Sequence, residues 1–244
     1  MTDPARLKND ILAQVWNYHA LVHTPPPFVP GQTLIKPSGV VYGPEEMEAL
    51  ATVALDFWLT AGPWTAKMER AITAAVGCRA VTLTASGSTA NLAALMTLLA
   101  TKDLTPGDEV LTPAVTFPTT VAPIVQLGLV PVFFDAQVGS YTVNPALLDQ
   151  AIGPRTRAML IPHTLGIPAD LDAITDLCER RDLILIEDTC DALGGRWRNA
   201  ALGSFGSLAT LSFFTAHTVT TGEGGALLVN RPSLIRPADS VASW

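Results

Sequence analysis

The segment from Leu208 to Gly225 contains side chains that could bind a ligand and move a proton. An apolar run, Leu208 to Phe214, predicts a buried strand that includes Ser212. A polar loop with the single histidine His217 follows, and then the turn Gly222 to Gly225, whose glycines permit close backbone approach. An imidazole, with a reference pKa of about 6.5, exchanges protons near neutral pH. The segment therefore indicates ligand contact rather than core packing.

A second polar segment, Thr84 to Thr89, joins a predicted strand to a predicted helix. Backbone N–H groups and hydroxyls of Gly87, Ser88 and Thr89 would converge on an anion at the helix N-terminus, where the helix dipole also favours negative charge. Serine and threonine also cap many ordinary helices. The segment is therefore interpreted either as a phosphate-binding turn or as a plain helix cap.

Acidic side chains cluster at the end of another apolar run. Glu187, Asp188 and Asp191 follow the run Leu183 to Ile186, which predicts a central strand. A buried carboxylate without a partner is costly, so Asp188 is expected to have a specific partner. A helix N-cap or loop carboxylate is the simpler alternative for Asp188.

Phe117, His163 and Asn91 are further candidates for the same site. Phe117 follows a predicted strand end, where a lone aromatic side chain more often packs in the core. His163 and Asn91 could line the site, but a structural role is the simpler interpretation of both residues.

The composition favours a globular protein that acts on small molecules. The chain has 244 residues, 48% of them apolar, and a net charge of −7. This acidic balance disfavours binding to nucleic acid or to anionic membranes, which requires a basic surface. No apolar run reaches the roughly 18 residues of a membrane span, and the first residues are charged, so we expect a cytoplasmic location. Cys78, Cys178 and Cys190 have no CxxC spacing, which predicts reduced thiols and no metal site among them.

Hydrophobic periodicity predicts a helix and an extended arm in residues 1–43 and an α/β domain in residues 44–244. The predicted helices run from Ala5 to Val22, Pro44 to Leu59, Thr65 to Val76, Pro118 to Leu127, Asn144 to Ile152 and Leu171 to Arg180, and the segment Thr84 to Asn91 leads into a further helix that ends near Thr101. The predicted strands run from Ala80 to Leu83, Glu109 to Thr112, Val130 to Phe134, Arg157 to Pro162, Leu183 to Glu187, Leu208 to Phe214 and Ala226 to Val229. Apolar strands that alternate with helices indicate a mainly parallel sheet with helices on both faces. The polar segments then lie beyond the carboxyl ends of the strands, where such sheets bind ligands.

Several separated motifs, in the same order, resemble the vitamin-B6-dependent nucleotide-sugar aminotransferases of the DegT/StrS type. The motifs are Pro27-Phe28-Val29-Pro30-Gly31, Ser86 to Asn91, Phe117 to Thr120, His163 to Gly166, Glu187-Asp188, Ala216-His217 and Gly222 to Gly225. The resemblance implies an aspartate-aminotransferase-like (fold type I) large domain. It also implies a smaller carboxyl-terminal domain, so we expect this chain to be the amino-terminal part of a longer protein.

The resemblance also implies roles for individual residues. Gly87, Ser88, Thr89 and Ser212 would bind the phosphate of pyridoxal or pyridoxamine 5′-phosphate, and Phe117 would stack on its pyridine ring. Asp188 would pair with the pyridine nitrogen. Asp191 stands where aminotransferases of this type usually have a glutamine near the ring hydroxyl.

His217 occupies the position at which those aminotransferases have the lysine that holds the cofactor as a Schiff base. The lysines of the chain are Lys8, Lys36, Lys67 and Lys102, all far from this position in the sequence. Histidine here resembles the sugar 3-dehydrase branch, which uses pyridoxamine phosphate. In that branch His217 would remove the proton at C4′ of the cofactor, and the hydroxyl at C3 of a nucleotide-linked 4-keto-6-deoxy hexose would leave.

Within this branch the chain resembles the CDP-4-keto-6-deoxyglucose 3-dehydrases of 3,6-dideoxy sugar biosynthesis. The resemblance implies a homodimer, a reductase partner and a [2Fe-2S] cluster whose cysteine ligands lie outside this chain. The alternatives are a GDP-4-keto-6-deoxymannose 3-dehydrase, a sugar aminotransferase, and a related protein that has lost activity.

Overall fold

The computed structural model describes residues 3–36, 39 and 41–242. The chain divides into two units, Met1–Trp64 and Thr65–Trp244. The predicted cofactor-binding domain starts at residue 44, so its first predicted helix lies in the amino-terminal unit. Residues 37, 38 and 40 of the predicted arm, and residues 243 and 244 of the predicted large domain, lie outside the described residues.

The amino-terminal unit contains helices α1 (Pro4–Val22) and α2 (Pro44–Asp56). Helix α1 begins after Asp3, whose carboxylate accepts the N–H of Ala5 at 3.1 Å. Helix α2 ends earlier than the predicted Leu59 because Phe57 adopts a left-handed conformation with φ 51°. None of the described residues of either helix is buried.

The second unit contains the remaining α-helices, apart from the first two residues of α3, and all the strands of the described chain. The helices are α3 (Pro63–Val76), α4 (Gly87–Ala100), α5 (Pro118–Gln126), α6 (Pro145–Ala151), α7 (Leu171–Arg181) and α8 (Ile235–Ala242). The strands are β1 (Ala80–Thr84), β2 (Glu109–Pro113), β3 (Val130–Phe134), β4 (Thr156–Pro162), β5 (Ile184–Asp188), β6 (Arg196–Trp197), β7 (Ala200–Ala201), β8 (Leu208–Ser212) and β9 (Gly225–Val229). Among the described residues, no helix combines the length and apolar character needed to cross a bilayer.

The large sheet has the strand order β1-β9-β8-β5-β4-β2-β3. Strands β3, β2, β4, β5 and β8 run parallel, whereas β9 pairs antiparallel with both β8 and β1. The prediction of a mainly parallel α/β sheet is therefore confirmed. The register pairs Asp188 on β5 with Pro162 on β4 and with Thr210 on β8. The carboxyl ends of these three strands consequently meet at one edge of the sheet.

Apolar residues cover both faces of the sheet. On one face Ile186 and Leu208 pack with Leu98 of α4. On the other face Leu185 packs with Ile174 of α7. Alternate residues of a strand point to opposite faces, so these near-continuous apolar strands need helices on both sides. Truncating a buried leucine in such a core typically costs about 2–5 kcal/mol of unfolding free energy.

Some predicted boundaries and elements differ from the structure. Strand β8 ends at Ser212 rather than Phe214, since Phe214 forms only an isolated bridge with Gly222. Helix α8 and the two-residue strands β6 and β7 were not predicted. The two strands are too short to show an alternation of apolar and polar residues.

Candidate active site

A cavity of about 470 Å³ opens at the carboxyl ends of the parallel strands. Every site residue predicted from the sequence except Thr89 lies on its wall: Gly87, Ser88, Phe117, Asp188, Asp191, Ser212 and His217. These residues come from four separate stretches of the chain. The fold therefore brings the predicted residues to one place, at the edge where open α/β sheets bind ligands.

Asp188 is the last residue of β5, and it is buried with its carboxylate at the cavity wall. Its Oδ2 accepts hydrogen bonds from the Thr120 hydroxyl at 2.8 Å and from the Asn91 amide at 2.9 Å. Its Oδ1 accepts the backbone N–H of Cys190 at 3.2 Å. These donors compensate the cost of burying the carboxylate. Asp188 therefore has the partners that the sequence predicts, and all of them are uncharged hydrogen-bond donors.

Asn91 of α4 lines the cavity and also forms hydrogen bonds to residues of the neighbouring strands. Its Oδ1 accepts the Thr210 hydroxyl at 2.7 Å, which fixes the orientation of the amide. Its Nδ2 then donates to Asp188 and, at 3.3 Å, to the carbonyl oxygen of Thr119. A structural role is the simpler interpretation from the sequence, and in the structure Asn91 is in direct contact with the site carboxylate.

The serine- and threonine-rich segment at the start of α4 contains both a helix cap and residues that line the cavity. Ser86 is the N-cap, and its Oγ accepts the N–H of Thr89 at 3.1 Å. The Thr89 Oγ1 in turn accepts the N–H of Ser86 at 2.9 Å. These two residues form a capping box, and Thr89 does not reach the cavity wall. Gly87 and Ser88 do line the cavity, and their N–H groups have no intrahelical acceptor because they lie in the first turn.

Glycine at position 87 allows α4 to approach the strands closely. A Cβ atom there would lie 2.5 Å from the Cβ of Ser212 and 2.8 Å from the Sγ of Cys190. Glycine at position 225, at the start of β9, also allows this close contact, because a Cβ atom there would collide with the carbonyl group of Ser86. The helix N-terminus consequently lies directly beside Ser212, the predicted phosphate ligand on β8.

His217 lies on the loop between β8 and β9. Its backbone N–H donates to the carbonyl oxygen of Phe214 at 3.0 Å, and the two rings meet edge to face with centroids 6.3 Å apart. Its side chain is 21% exposed, and its Nδ1 lies 3.2 Å from Oδ1 of Asp191. The imidazole is therefore held at the cavity wall and paired with a carboxylate.

His163 and Glu187 form a second, fully buried pair. The Nδ1 of His163 accepts the N–H of Ala169 at 3.2 Å, so the ring proton is on Nε2, which lies 3.1 Å from Oε2 of Glu187. Glu187 also accepts the N–H groups of Gly203, Phe205 and Gly206 at 2.7–2.9 Å. The pair holds the loop before β8 in place, which agrees with the structural interpretation of His163.

Phe117 is the N-cap residue of α5, and its side chain is 69% exposed. It also lines the cavity. The alternative that Phe117 packs in the core is therefore wrong. An exposed aromatic ring at a cavity wall is available to stack on a planar ligand.

The acidic and basic side chains around the cavity are carboxylates and imidazoles. Asp188, Asp191 and Glu223 line it together with His163 and His217, whereas no lysine or arginine of the described chain does. Burial, with a further contribution from Asp188, raises the pKa of the Cys190 thiol on this wall well above its usual 9.0. The thiol therefore remains protonated and is a poor nucleophile at neutral pH. The described residues contain no cluster of three or more metal-ligating side chains.

The sheet topology and the position of the cavity define the class of protein. The fold is the aspartate-aminotransferase-like (fold type I) large domain of B6-dependent enzymes. Residues 41–242 match the family model described as the DegT/DnrJ/EryC1/StrS aminotransferase family, and the chain belongs to this family.

Similar proteins include sugar 3-dehydratases. The chain is 43% identical to the dTDP-4-dehydro-2,6-dideoxy-D-glucose 3-dehydratase of Saccharopolyspora spinosa over 97% of this chain and 52% of the relative. It is 38% identical to the lipopolysaccharide biosynthesis protein RfbH of Salmonella typhimurium over 98% of this chain and 55% of the relative. The structure of Escherichia coli GDP-4-keto-6-deoxy-D-mannose 3-dehydratase with bound hydrated PLP superposes with a TM-score of 0.79, at 31% identity over 82% of this chain and 52% of that one. The chain thus spans about half the length of the relatives that it matches.

Proposed function

We propose that this protein is a pyridoxamine-phosphate-dependent sugar 3-dehydratase that removes the C3 hydroxyl of a nucleotide-linked 4-keto deoxyhexose in dideoxysugar biosynthesis. The observation that supports the proposal most strongly is the position of His217 on the cavity wall of a B6-enzyme fold. No lysine of the described residues lines this cavity. The 3-dehydratases of S. spinosa and E. coli are named for dTDP- and GDP-linked sugars, which supports a nucleotide-linked substrate.

The residues of the cavity suit a pyridine ring that carries a phosphate. Asp188 offers a carboxylate at one wall, and the N-terminus of α4 offers N–H groups and the Ser88 hydroxyl at another. The buried hydroxyl of Thr116, which also lines the cavity, has no hydrogen-bond partner in the described part of the chain. A buried polar group without a partner is costly, and a polar ligand would satisfy it.

Asp188 would bind the pyridine nitrogen and keep it protonated. The donors from Asn91, Thr120 and Cys190 hold the carboxylate in place, and its oxygens can accept a hydrogen bond from a protonated ring nitrogen. Pyridoxamine phosphate, when bound, supplies an amine that condenses with the keto sugar and a conjugated ring that accepts electrons.

The opposite end of the cofactor would meet the start of α4. Gly87 and Ser88 would donate backbone N–H groups to the phosphate, and the helix dipole adds to this attraction. The hydroxyl of Ser212, whose oxygen accepts the N–H of Phe214 at 3.4 Å, keeps its own proton available for the phosphate. Phe117 would cover one face of the ring and exclude water. Thr89 would act indirectly, through the capping box.

His217 would move the proton at C4′ of the cofactor. An imidazole can act as a general base, but it cannot form the covalent link that a lysine amine forms. The C3 hydroxyl of the sugar would leave as water together with the proton that His217 removes from C4′, and the electron pair of that C–H bond would replace the pair that leaves with the hydroxyl. The proposal extends to a homodimer, a [2Fe-2S] cluster bound outside this chain, and an electron-donating reductase; these rest on the resemblance to the CDP-sugar 3-dehydrases.

Oxygen exchange at C3 of the sugar tests dehydration against transamination. The protein is incubated with pyridoxamine phosphate and a nucleotide-linked 4-keto-6-deoxy hexose in water labelled with oxygen-18. We expect the label at C3 of the recovered sugar, as detected by the isotope shift of the C3 carbon resonance, and its loss with His217→Asn. His19→Asn, in the amino-terminal unit, is the matched control and should keep the exchange. A 4-amino sugar as the main product, without label at C3, would overturn the proposal.

A further inference from the structure

Asp191 and His217 form a pair, and the proposed reaction assigns a role to His217 but none to its contact with Asp191. Asp191 follows β5 and His217 follows β8, and these strands are parallel neighbours, so their carboxyl-terminal loops meet. The Nδ1 of His217 lies 3.2 Å from Oδ1 of Asp191, and both side chains line the cavity. Among the described acidic residues, Asp191 alone pairs with this histidine.

The second oxygen of the Asp191 carboxylate is held by the backbone. Its Oδ2 accepts the N–H of Leu165 at 3.4 Å, and Leu165 has the left-handed conformation, with φ 55°. The adjacent Gly166 also packs against Asp191, since a Cβ atom there would lie 3.2 Å from its carbonyl oxygen. The loop after β4 therefore orients the carboxylate, and Oδ1 is left for the imidazole.

We propose that Asp191 is the positioning residue for His217. An ionised carboxylate only accepts hydrogen bonds, so Asp191 keeps the proton of the imidazole on Nδ1. The lone pair of Nε2 is then the basic site of the ring. This inference rests on the proposed function, and it gives Asp191 a role different from the predicted contact with the ring hydroxyl of the cofactor.

His163 provides an internal contrast on the same wall. The N–H of Ala169 donates to its Nδ1, so its proton is on Nε2. His163 therefore has the tautomer opposite to the one proposed for His217. The chain has only four histidines, His19, His23, His163 and His217, so each can be identified in a spectrum by its replacement.

Ring nitrogen NMR of the protein labelled with nitrogen-15 histidine tests the assignment without cofactor. At a pH where the rings are neutral, we expect the Nδ1–H tautomer for His217 and the Nε2–H tautomer for His163. Asp191→Ala should convert His217 to the mixture of tautomers of a free imidazole. Asp191→Asn, whose amide oxygen can still accept, should restore part of the Nδ1–H form. Unchanged His163 signals show that the variants are folded.

The proposal is wrong if His217 is an Nε2–H tautomer in the unaltered protein, or if Asp191→Ala leaves its tautomer unchanged. In the presence of pyridoxamine phosphate and substrate, Asp191→Ala should lower kcat roughly tenfold to a hundredfold, the usual effect of losing an orienting group, with little change in KM. Asp191→Asn should recover part of the loss. If His217 has the Nδ1–H tautomer but the protein does not exchange oxygen at C3 of the sugar, the proposed function is wrong and the positioning role of Asp191 still holds.

Discussion

Asn91, in the first helix after the serine- and threonine-rich turn, donates a hydrogen bond of 2.9 Å to Asp188 at the end of the central strand β5. The same amide accepts the hydroxyl of Thr210 on β8 at 2.7 Å. One side chain therefore connects α4, β5 and β8 at the cavity wall. The position of the site carboxylate depends on this connection.

Replacing Asn91 by alanine should affect stability and cofactor binding together. Asp188 and Thr210 would each lose a buried partner, and we expect the free energy of unfolding to fall by about 1–3 kcal/mol. Affinity for pyridoxamine phosphate should fall roughly tenfold, equivalent to about 1.4 kcal/mol. Urea unfolding and a cofactor titration measure the two effects. Thr120→Val removes a different donor to Asp188 and should weaken cofactor binding while the contact with Thr210 is retained.

Gly87→Ala should disturb the junction between α4 and the strands. The added Cβ would lie too close to Ser212 and Cys190, which must then shift, at a cost of about 1–3 kcal/mol of unfolding free energy. Since Ser212 is the proposed phosphate ligand, cofactor affinity should fall as well. Gly39→Ala is the control, because a Cβ atom there meets nothing within 4 Å. Equal stability of the two variants would contradict the packing described for Gly87.

Glu187→Gln should destabilise the fold with little change of shape. Glu187 accepts from three backbone N–H groups and from His163, and the NH₂ of a glutamine would face one or more of these donors. We expect a loss of about 1–3 kcal/mol, measured by urea unfolding. Glu109→Gln, at a more exposed carboxylate on β2, is the matched comparison and should cost less. An unchanged free energy of unfolding in Glu187→Gln would show that these hydrogen bonds do not hold the loop before β8.

The alkaline limit of stability should depend on a buried thiol. Burial, with a smaller effect of Glu179, raises the pKa of Cys178 from 9.0 to about 12. Below pH 9 the thiol is protonated in both the folded and the unfolded chain, so stability does not depend on it. Between about pH 9 and 12 only the unfolded chain loses this proton, so the free energy of unfolding falls by up to roughly 1.4 kcal/mol per pH unit.

Cys178→Ala removes this contribution. In urea unfolding from pH 8 to 11, the variant should lose stability less steeply than the unaltered protein, although it starts from a lower value because the side chain is part of the core. Cys78→Ala, at a thiol whose pKa burial raises less, should change the slope less. Parallel curves for Cys178→Ala and the unaltered protein would contradict the assigned shift.

The sequence predicted the sheet and the location of the site because both depend on local patterns. Apolar runs marked the strands, and the polar residues after them marked the carboxyl edge, where the structure places Asp188, Ser212 and His217. The apolar pattern alone does not show whether Glu187 or Asp188 faces the cavity, and the resemblance to the family selected Asp188. That choice depends on the alternation of side chains in a strand whose two faces are both buried.

The contacts between distant parts of the chain could not be predicted. The bond from Asn91 to Asp188 depends on how α4 packs across β5 and β8, and the pair of His217 and Asp191 depends on the order of strands in the sheet. Thr89 was predicted as a phosphate ligand because capping residues and anion ligands share the same residue types. Only the hydrogen bonds of the capping box separate the two roles.

The most direct test of the account is the fate of the hydrogen at C4′ of bound pyridoxamine phosphate. The protein is incubated in deuterium oxide with the cofactor and a nucleotide-linked 4-keto-6-deoxy hexose, and the C4′ protons are followed by NMR. We predict that the unaltered protein exchanges one C4′ hydrogen and that His217→Asn exchanges it at least about a hundredfold more slowly, as expected for loss of a general base. Exchange at the full rate in His217→Asn would contradict the assignment of His217 as the base.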